Sequence, residues 1–308
     1  MDTVRSNLNS LPLLRSLVKN KDLNYYDHTV INSNNDHNNH IDLVSIIMTS
    51  SNRSAQTYYT LKTISKSKHK NVQVIIVDDS DTDPISKDKL EEFGLFIELI
   101  TIKRDKKIWK NPCINYNIGF EYVKGNKIII QNAEVCHVGD VISQFTSNIR
   151  NNEYYVYDVA AVSKLSNNNK IYQQDNLNCS IYTKPDIFRM WYQHRSYNRS
   201  LHFLTGMDYT TFQKVKDFSY DYSFVSSYDD DDFLLKINIA NIKIILISND
   251  MHNVGGIHLY HDPSTTASMA PSAEELFQLK YKYYLKHKKY FEISDGPLLD
   301  RFNILSTT

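Results

Sequence analysis

The sequence predicts an α/β fold organised around a mostly parallel sheet, and three observations lead there. Between Asp42 and His137, strand-like apolar runs alternate with helix-like segments, a rhythm that demands parallel strands and right-handed crossovers. Ile128-Ile129-Ile130 is apolar without alternation, as in a strand covered on both faces. Several of these runs end in polar or acidic residues, and the C-terminal edge of an open α/β sheet is where ligands bind.

Global properties narrow the possibilities. The 308 residues suffice for a full core, as one large domain or two small ones. An even balance of 35 basic and 35 acidic residues argues against a dedicated nucleic-acid or membrane-surface binder. Heavy use of Asn, Lys, Ile and Tyr, with scarce Gly, fits a biased genome better than a functional signal. The three cysteines, Cys113, Cys136 and Cys179, lack metal-site spacing and leave one unpaired in any disulfide scheme, which points to a reduced compartment. Met1–Arg5 lacks the order of a signal peptide, and no apolar run approaches the roughly 20 residues of a membrane span. The expectation is a soluble, cytoplasmic protein.

Taken in order, the chain opens with an amphipathic pattern at Leu11, Leu14, Leu17 and Val18, with Ser10 and Pro12 suited to a helix start. Ile31–His40 is too polar to pack and reads as a linker. Leu43–Met48 is a strand, followed by turn residues Thr49–Arg53 and a helix presenting Tyr58, Leu61 and Ile64. Val72–Val77 is the second strand, Lys87–Phe93 a helix and Leu95–Ile102 the third strand. Pro112 opens a helix for which Gly125 suits the C-cap, and Ile128–Gln131 is the central strand. Beyond Glu134, Tyr154–Val162 reads as one strand, Ser166–Lys170 as an exposed turn and Pro185–Trp191 as a helix. An aromatic and basic stretch spans Trp191–Phe203. A helix begins at Asp229, Lys243–Ile247 is a strand, and Ala273–Lys289 is a basic amphipathic helix before a loose tail. No internal repeat is visible.

Four segments carry candidate chemistry. Asp78-Asp79 at a strand edge suits hydrogen bonds from a base or ribose, and helix capping explains it equally well. Asn132-Ala133-Glu134 supplies hard oxygen donors where the central strand ends. The run Asp229-Asp230-Asp231-Asp232 fits the first turn of a helix, where its dipole favours acids. Four exceed what a cap needs, so their repulsion has to be offset by a ligand, a cation or an acceptor. A lone His is usually structural, but His258 and His261, after the Gly255-Gly256 break and a core strand, favour a functional role.

In this order the segments resemble family-two glycosyltransferases, over roughly Asp42 to Lys289. Thr49 and Asn52-Arg53 match the family's opening turn and Asp78-Asp79 its paired aspartates, although the usual Pro and Gly are missing. Asn117-Ile118-Gly119 is similar to its Arg-Asn-x-Gly helix, with Tyr116 in place of the Arg. Asn132-Ala133-Glu134 stands at the D-x-D position. Ser226–Leu235 resembles the Gly-x-x-Asp/Glu-Asp-x-Asp-Phe/Leu segment, approached by a Gly-Phe-Asp-Glu-like Phe218–Tyr222. His258–His261 is similar to the His-Leu-Trp-His segment of galactosyltransferase-like domains.

The resemblance implies a GT-A fold: an N-terminal extension and linker (1–41), a nucleotide-sugar half (42–137), an acceptor half (138–290) and a tail (291–308). It implies transfer, with inversion, from a UDP-sugar or related nucleotide sugar to a glycan or glycoconjugate hydroxyl, assisted by Mn2+ or Mg2+. Asp230 is the implied catalytic base; Asp229, Trp191 and His202 face the acceptor. Thr49, Ser51, Asn52, Arg53, Asp78, Asp79, Asn117 and Asn132 serve the nucleotide, and Glu134 and His258, with His261 in reserve, the metal. One rival is a sugar-phosphate nucleotidyltransferase, but Thr49–Arg53 is not the Gly-rich basic loop it would need. The other is an inactive relative that binds glycans or partners.

Overall fold

The structure is a computed structural model that describes residues 10–32, 42–184, 186–193, 202–262 and 270–293. Most of the expected linker (33–40), part of the aromatic and basic stretch (194–201) and the end of the tail (294–308) lie outside these residues. Among the described residues, twelve strands follow in chain order. The first five are β1 (Tyr26–Ile31), β2 (Val44–Ser50), β3 (Val72–Asp78), β4 (Phe96–Ile102) and β5 (Lys127–Gln131). Next come β6 (Val135–Val138), β7 (Glu153–Tyr157), β8 (Val159–Val162) and β9 (Phe188–Gln193). The last are β10 (Leu204–Asp208), β11 (Lys243–Ile247) and β12 (Gly255–His258).

Two sheets result. The larger runs β1-β4-β3-β2-β5-β10-β7-β11, and the smaller β6-β12-β8-β9. The four strands β2 to β5 are mutually parallel, and helices Ser54–Ser65 and Cys113–Phe120 are among their connections. This is the α/β class read from the sequence. The non-alternating runs are buried throughout: Ile46, Ile47, Ile75, Ile76, Ile128, Ile129 and Ile130 are fully covered. Helix Cys113–Phe120 lies so close to the sheet that a Cβ on Gly119 would meet Ile47 at 2.8 Å. At β5 the sheet changes character, because β10 pairs antiparallel with it and the second half of the chain begins.

Four local expectations are corrected. Tyr154–Val162 is two strands, with Asp158 at the point where the chain passes from one sheet to the other. Ser166–Lys170 is not an exposed turn but part of the helix Leu165–Tyr172, in which Asn167 and Asn168 are buried. Their amides hydrogen-bond distant backbone, Asp186 O and Tyr260 O, which a composition-based reading cannot anticipate. The segment from Phe188 to Trp191 lies in the strand β9, because it pairs with β8. Gly125 is not a C-cap, since the helix ends at Glu121; an added Cβ there would meet Leu43 O at 2.4 Å, so the residue permits close backbone approach.

Segments near both limits of the described residues pack on this framework. Helix Leu11–Lys19 buries Leu11, Leu14, Leu17 and Val18, as its amphipathic pattern requires. β1 adds an antiparallel edge strand that the sequence reading missed. Where the tail was expected, Glu292 pairs with Arg15 and Lys236, and Ile293 is buried.

Candidate active site

A cleft of about 1140 Å³ opens along the C-terminal edges of β2, β3 and β5 and reaches the acidic helix Asp229–Ile239. Thr49, Ser51, Asn52, Arg53, Asp79, Asn132, Glu134, His202, Asp229, Asp230 and His261 all line it. Asp78, Asn117, Trp191 and His258 do not.

The two aspartates of β3 divide their work. Asp78 points into the loop that follows, accepting from the Ser80 hydroxyl at 2.6 Å and from Ile85 N at 2.9 Å. Burial raises its pKa, and these bonds only partly counter it. Asp79 faces the cleft. Its Oδ2 accepts from Lys107, and from Asn115 Nδ2 at 3.0 Å, while Asn115 accepts from Trp109 Nε1 at 2.7 Å. Burial pushes the Asp79 carboxyl up, but the Lys107 charge and these bonds hold it below its ordinary value. Lys107, Trp109 and Asn115 were absent from the sequence reading, since nothing local marks them.

Asn52 is spent on structure. Its Oδ1 accepts from the backbone N–H groups of Asp81, Thr82 and Asp83, and its Nδ2 donates to Asp81 at 2.6 Å. It therefore shapes the loop at the cleft edge. Asn117 likewise braces Phe218 through both its amide atoms and is fully buried. Trp191 lies on β9 with its ring 5.0 Å from Tyr182.

Glu134 is the focus of a second group. It sits in the turn between β5 and β6, and the antiparallel register sets Val135 opposite His258. Leu259 N donates to Glu134 O at 2.9 Å, locking the two segments together. Gln56 and Asn168 both donate to Tyr260 O, which fixes the residue beside His261. Sequence-distant side chains thus meet: His258 Nε2 and His261 Nε2 each stand 3.3 Å from Glu134 Oε1, and Arg53 Nη1 donates to the same oxygen at 2.7 Å. Burial opposes ionisation of Glu134, but Arg53 and the two imidazoles hold its pKa well below the usual carboxylate range. Its other oxygen, Oε2, is buried without a hydrogen-bond partner among the described residues.

This set fits a divalent cation. One ligand atom from each of Glu134, His258 and His261 lies within 4.8 Å of the others, and an orphaned carboxylate oxygen awaits a partner. Two imidazoles with one carboxylate suit a transition-metal ion such as Mn2+ better than Mg2+, which prefers an all-oxygen shell. Asn132 lines the cleft, and the Tyr116 hydroxyl stands 3.0 Å from Gln131 O and 3.2 Å from Asn132 Oδ1, its one proton facing both acceptors.

The acidic run is partitioned by what surrounds it. Ser227 and Tyr228, just before it, hold positive φ angles of 72° and 64°, a costly turn that non-glycine residues keep mostly at functional sites. Asp232 is fully buried 3.3 Å from the Nζ of Lys280, itself buried and bonded to Asp221, Ser219 and Tyr290. Lys280 comes from the C-terminal helix Ala270–His287 and is the offsetting cation that four adjacent acids demand. Asp229 is buried and accepts from Asn111 Nδ2 at 3.1 Å. Asp230 is 29% exposed to the cleft and stands 3.1 Å from His202 Nε2.

Burial, with Asp230 beside it, pushes the Asp229 pKa up to about 7. Between pH about 4 and 7 the unfolded chain therefore ionises this group while the native one keeps its proton, so stability falls as pH rises through that window. Asp229→Asn removes the cost. Its stability relative to the parent should accordingly rise by a few kcal/mol, on the order of the shift, between pH 4.5 and 7.5 in denaturant titrations. A difference independent of pH would show that Asp229 is ionised in the native protein throughout.

Comparison with known proteins adds the family. Residues 45–218 match the family described as "Glycosyl transferase family 2". None of the curated proteins matches the sequence. Among solved structures, S. aureus TarS 1-349 in complex with UDP-GlcNAc is 12% identical over 85% of this chain and 70% of its own, with a TM-score of 0.51. A longer S. aureus TarS structure is 11% identical over the same 85%, also at 0.51, and this chain spans 42% of it. A mannosyltransferase from Pyrobaculum calidifontis, in complex with GDP-Man and Mn2+, is 13% identical over 99% of this chain and 80% of that one, at 0.48. No helix among the described residues is long and apolar enough to cross a membrane.

Proposed function

Because the chain belongs to glycosyl transferase family 2, we propose that its cleft moves a sugar from a UDP-sugar, or a related nucleotide sugar, to an acceptor hydroxyl with inversion. One observation carries this reading: a single cleft holds a carboxylate open to it, Asp230, and the Glu134–His261 end of a cation-binding cluster. Glycosyl transfer needs both. Bond cleavage through an oxocarbenium-like state requires a base for the attacking hydroxyl and charge stabilisation for the departing diphosphate. Asp230 accepts the hydroxyl proton as the new bond forms. Asp229, protonated for part of the neutral range, offers the acceptor a hydrogen bond instead. A cation held by Glu134, His258 and His261 would neutralise diphosphate charge. Arg53, Lys110 and Asn132 line the same walls and carry N–H donors.

Asp79 belongs to the donor end. Fixed by Lys107 and Asn115, it presents a rigid acceptor suited to the N–H of a base. Asp79→Asn should weaken UDP binding by about tenfold or more, the loss of one charge-assisted hydrogen bond. The isosteric change is preferable to Asp79→Ala, which would strand Lys107. Unchanged affinity by calorimetry would reduce Asp79 to an internal brace.

A binding panel tests the whole reading. Melting temperatures are compared for UDP, GDP, UDP-GlcNAc and GDP-mannose, each with and without Mn2+. A ligand at a hundredfold excess over Kd stabilises by about 2.7 kcal/mol. A selective, Mn2+-enhanced rise with one nucleotide is expected; no rise with any of them would sink the proposal. Tight nucleotide binding without release of the sugar to any hydroxyl, water included, would favour the inactive relative.

A further inference from the structure

We propose that Arg53 and the divalent cation are alternative partners of Glu134: the guanidinium neutralises the carboxylate until a cation arrives with the sugar nucleotide, and then turns to the diphosphate. This inference rests on the reading of Glu134, His258 and His261 as cation ligands.

Guanidinium and cation compete for one carboxylate. Arg53 Nη1 donates to Glu134 Oε1 at 2.7 Å, and His258 Nε2 and His261 Nε2 each stand 3.3 Å from that same oxygen. Among the described residues, Glu134 is the side chain to which the Arg53 guanidinium hydrogen-bonds. The Glu134 side chain is 1% exposed, and a carboxylate buried that deeply needs a positive partner. Whichever oxygen the cation takes, the partnerless Oε2 included, it meets a carboxylate that Arg53 has already neutralised.

Charge then couples the two ligands. Glu134 and Arg53 cancel, so a divalent cation adds two positive charges that this pair leaves unbalanced. A nucleotide diphosphate supplies the balance, and the planar guanidinium suits its oxygens. Such coupling is reciprocal: the nucleotide tightens the cation by the factor with which the cation tightens the nucleotide.

The exchange needs a swing of the side chain alone, because the backbone at Arg53 is held on both sides. Asn52 Oδ1 accepts from the N–H groups of Asp81, Thr82 and Asp83. Ser54 donates to Asp83 from its backbone N at 2.8 Å and from its hydroxyl at 2.7 Å. Arg53 O accepts from Thr57 N at 3.0 Å and from its hydroxyl at 2.9 Å. The Arg53 side chain, in contrast, is 24% exposed and lines the cleft.

The test titrates the full chain with Mn2+ in a calorimeter, alone and with UDP or GDP, whichever the binding panel selects. Arg53→Met keeps a long side chain and removes the charge. It should tighten binding of Mn2+ alone about 10-fold or more, an ordinary coupling factor, and weaken binding of the nucleotide. The factor by which the nucleotide tightens Mn2+ should shrink. Arg53→Lys keeps the charge and should bind Mn2+ alone as weakly as the parent. Melting temperatures give a second readout. In chelator, Arg53→Met should melt below the parent, because Glu134 has lost its counter-charge, and saturating Mn2+ should close the gap. Adding His258→Ala to that variant should prevent the rescue.

Mn2+ that binds Arg53→Met no more tightly than the parent would overturn the inference, as would equal Mn2+ shifts in the two melting temperatures. A gain in Arg53→Lys equal to that in Arg53→Met would trace the effect to shape rather than charge and overturn it too. If Arg53→Met fails to fold, Arg53→Gln, which keeps an N–H donor without the charge, is judged by the same criteria. Failure of the cation-site reading looks different: Mn2+ would bind neither parent nor variant, with or without nucleotide, and both ideas fall. Mn2+ binding that is lost in His258→Ala, yet gains nothing from Arg53→Met, overturns the exchange alone.

Discussion

Replacing Asp230 with Asn is expected to lower turnover by about 10²–10⁴ while sugar-nucleotide and metal binding survive, the range that general-base catalysis contributes. The substitution preserves size and removes only the capacity to take a proton. The buried neutralisation of the acidic helix runs through Asp232 and Lys280. A loss of activity can therefore be separated from a loss of fold by measuring the melting temperature and nucleotide affinity of the same preparation. Release of nucleoside diphosphate, with water or a confirmed acceptor as the attacking hydroxyl, gives the rate. Near-normal transfer by Asp230→Asn would move the base elsewhere, and Asp231 would be the next candidate, because Asp232 is sealed against Lys280.

The partition of the four aspartates marks where the sequence stops being informative. Their number announces that something must offset the repulsion, and their position at a helix start is legible. Which one faces the cleft is not, because that is decided by Lys280 from the C-terminal helix, Asn111 from another segment and His202 from the entry to β10. Lys280 is instructive. In the sequence it is one of several lysines on a basic amphipathic helix, and only tertiary structure reveals it as buried.

The same division runs through the fold. The parallel half was readable because each of its strands is a mainly apolar run, with one buried polar residue inside β2, β3 and β4 (Ser45, Gln73 and Glu98), that must be covered on both faces. The second half was less so, because its elements depend on single polar residues with remote partners. Asp158 looks like any residue within a strand. Its backbone nonetheless serves two sheets, donating to Ile247 O at 3.1 Å and accepting from Gly256 N at 2.8 Å. Asn167 and Asn168 read as turn residues until their buried partners are known. In the cleft, Glu134 and the two histidines were found by residue type and order, whereas Trp109, Asn115 and Lys107 have no signature outside the assembled site.

Removing Glu134 or His258 should have the second large effect, on metal-dependent binding rather than on the proton transfer. The two reach the same point because β6 and β12 pair in a register that sets Val135 opposite His258. Outer-shell partners of a metal already matter about 10–100-fold in affinity, and direct ligands should cost no less. Glu134→Gln keeps an oxygen but loses the charge, and it also weakens the 2.7 Å bond that holds Arg53. His258→Ala leaves that bond intact, so the pair of variants separates loss of a ligand from a weakened hold on Arg53. Each should abolish most of the Mn2+ enhancement of nucleotide binding, and the double variant should lose little more, because ligands of one ion act as a unit. Calorimetric titration of Mn2+ alone supplies a readout independent of catalysis. If the parent protein keeps full activity in excess chelator, the cluster is not a working metal site. Diphosphate charge would then be met by Arg53 and Lys110. In that case Glu134 would serve to hold Arg53 in place through its 2.7 Å bond, and His258→Ala should leave nucleotide affinity unchanged.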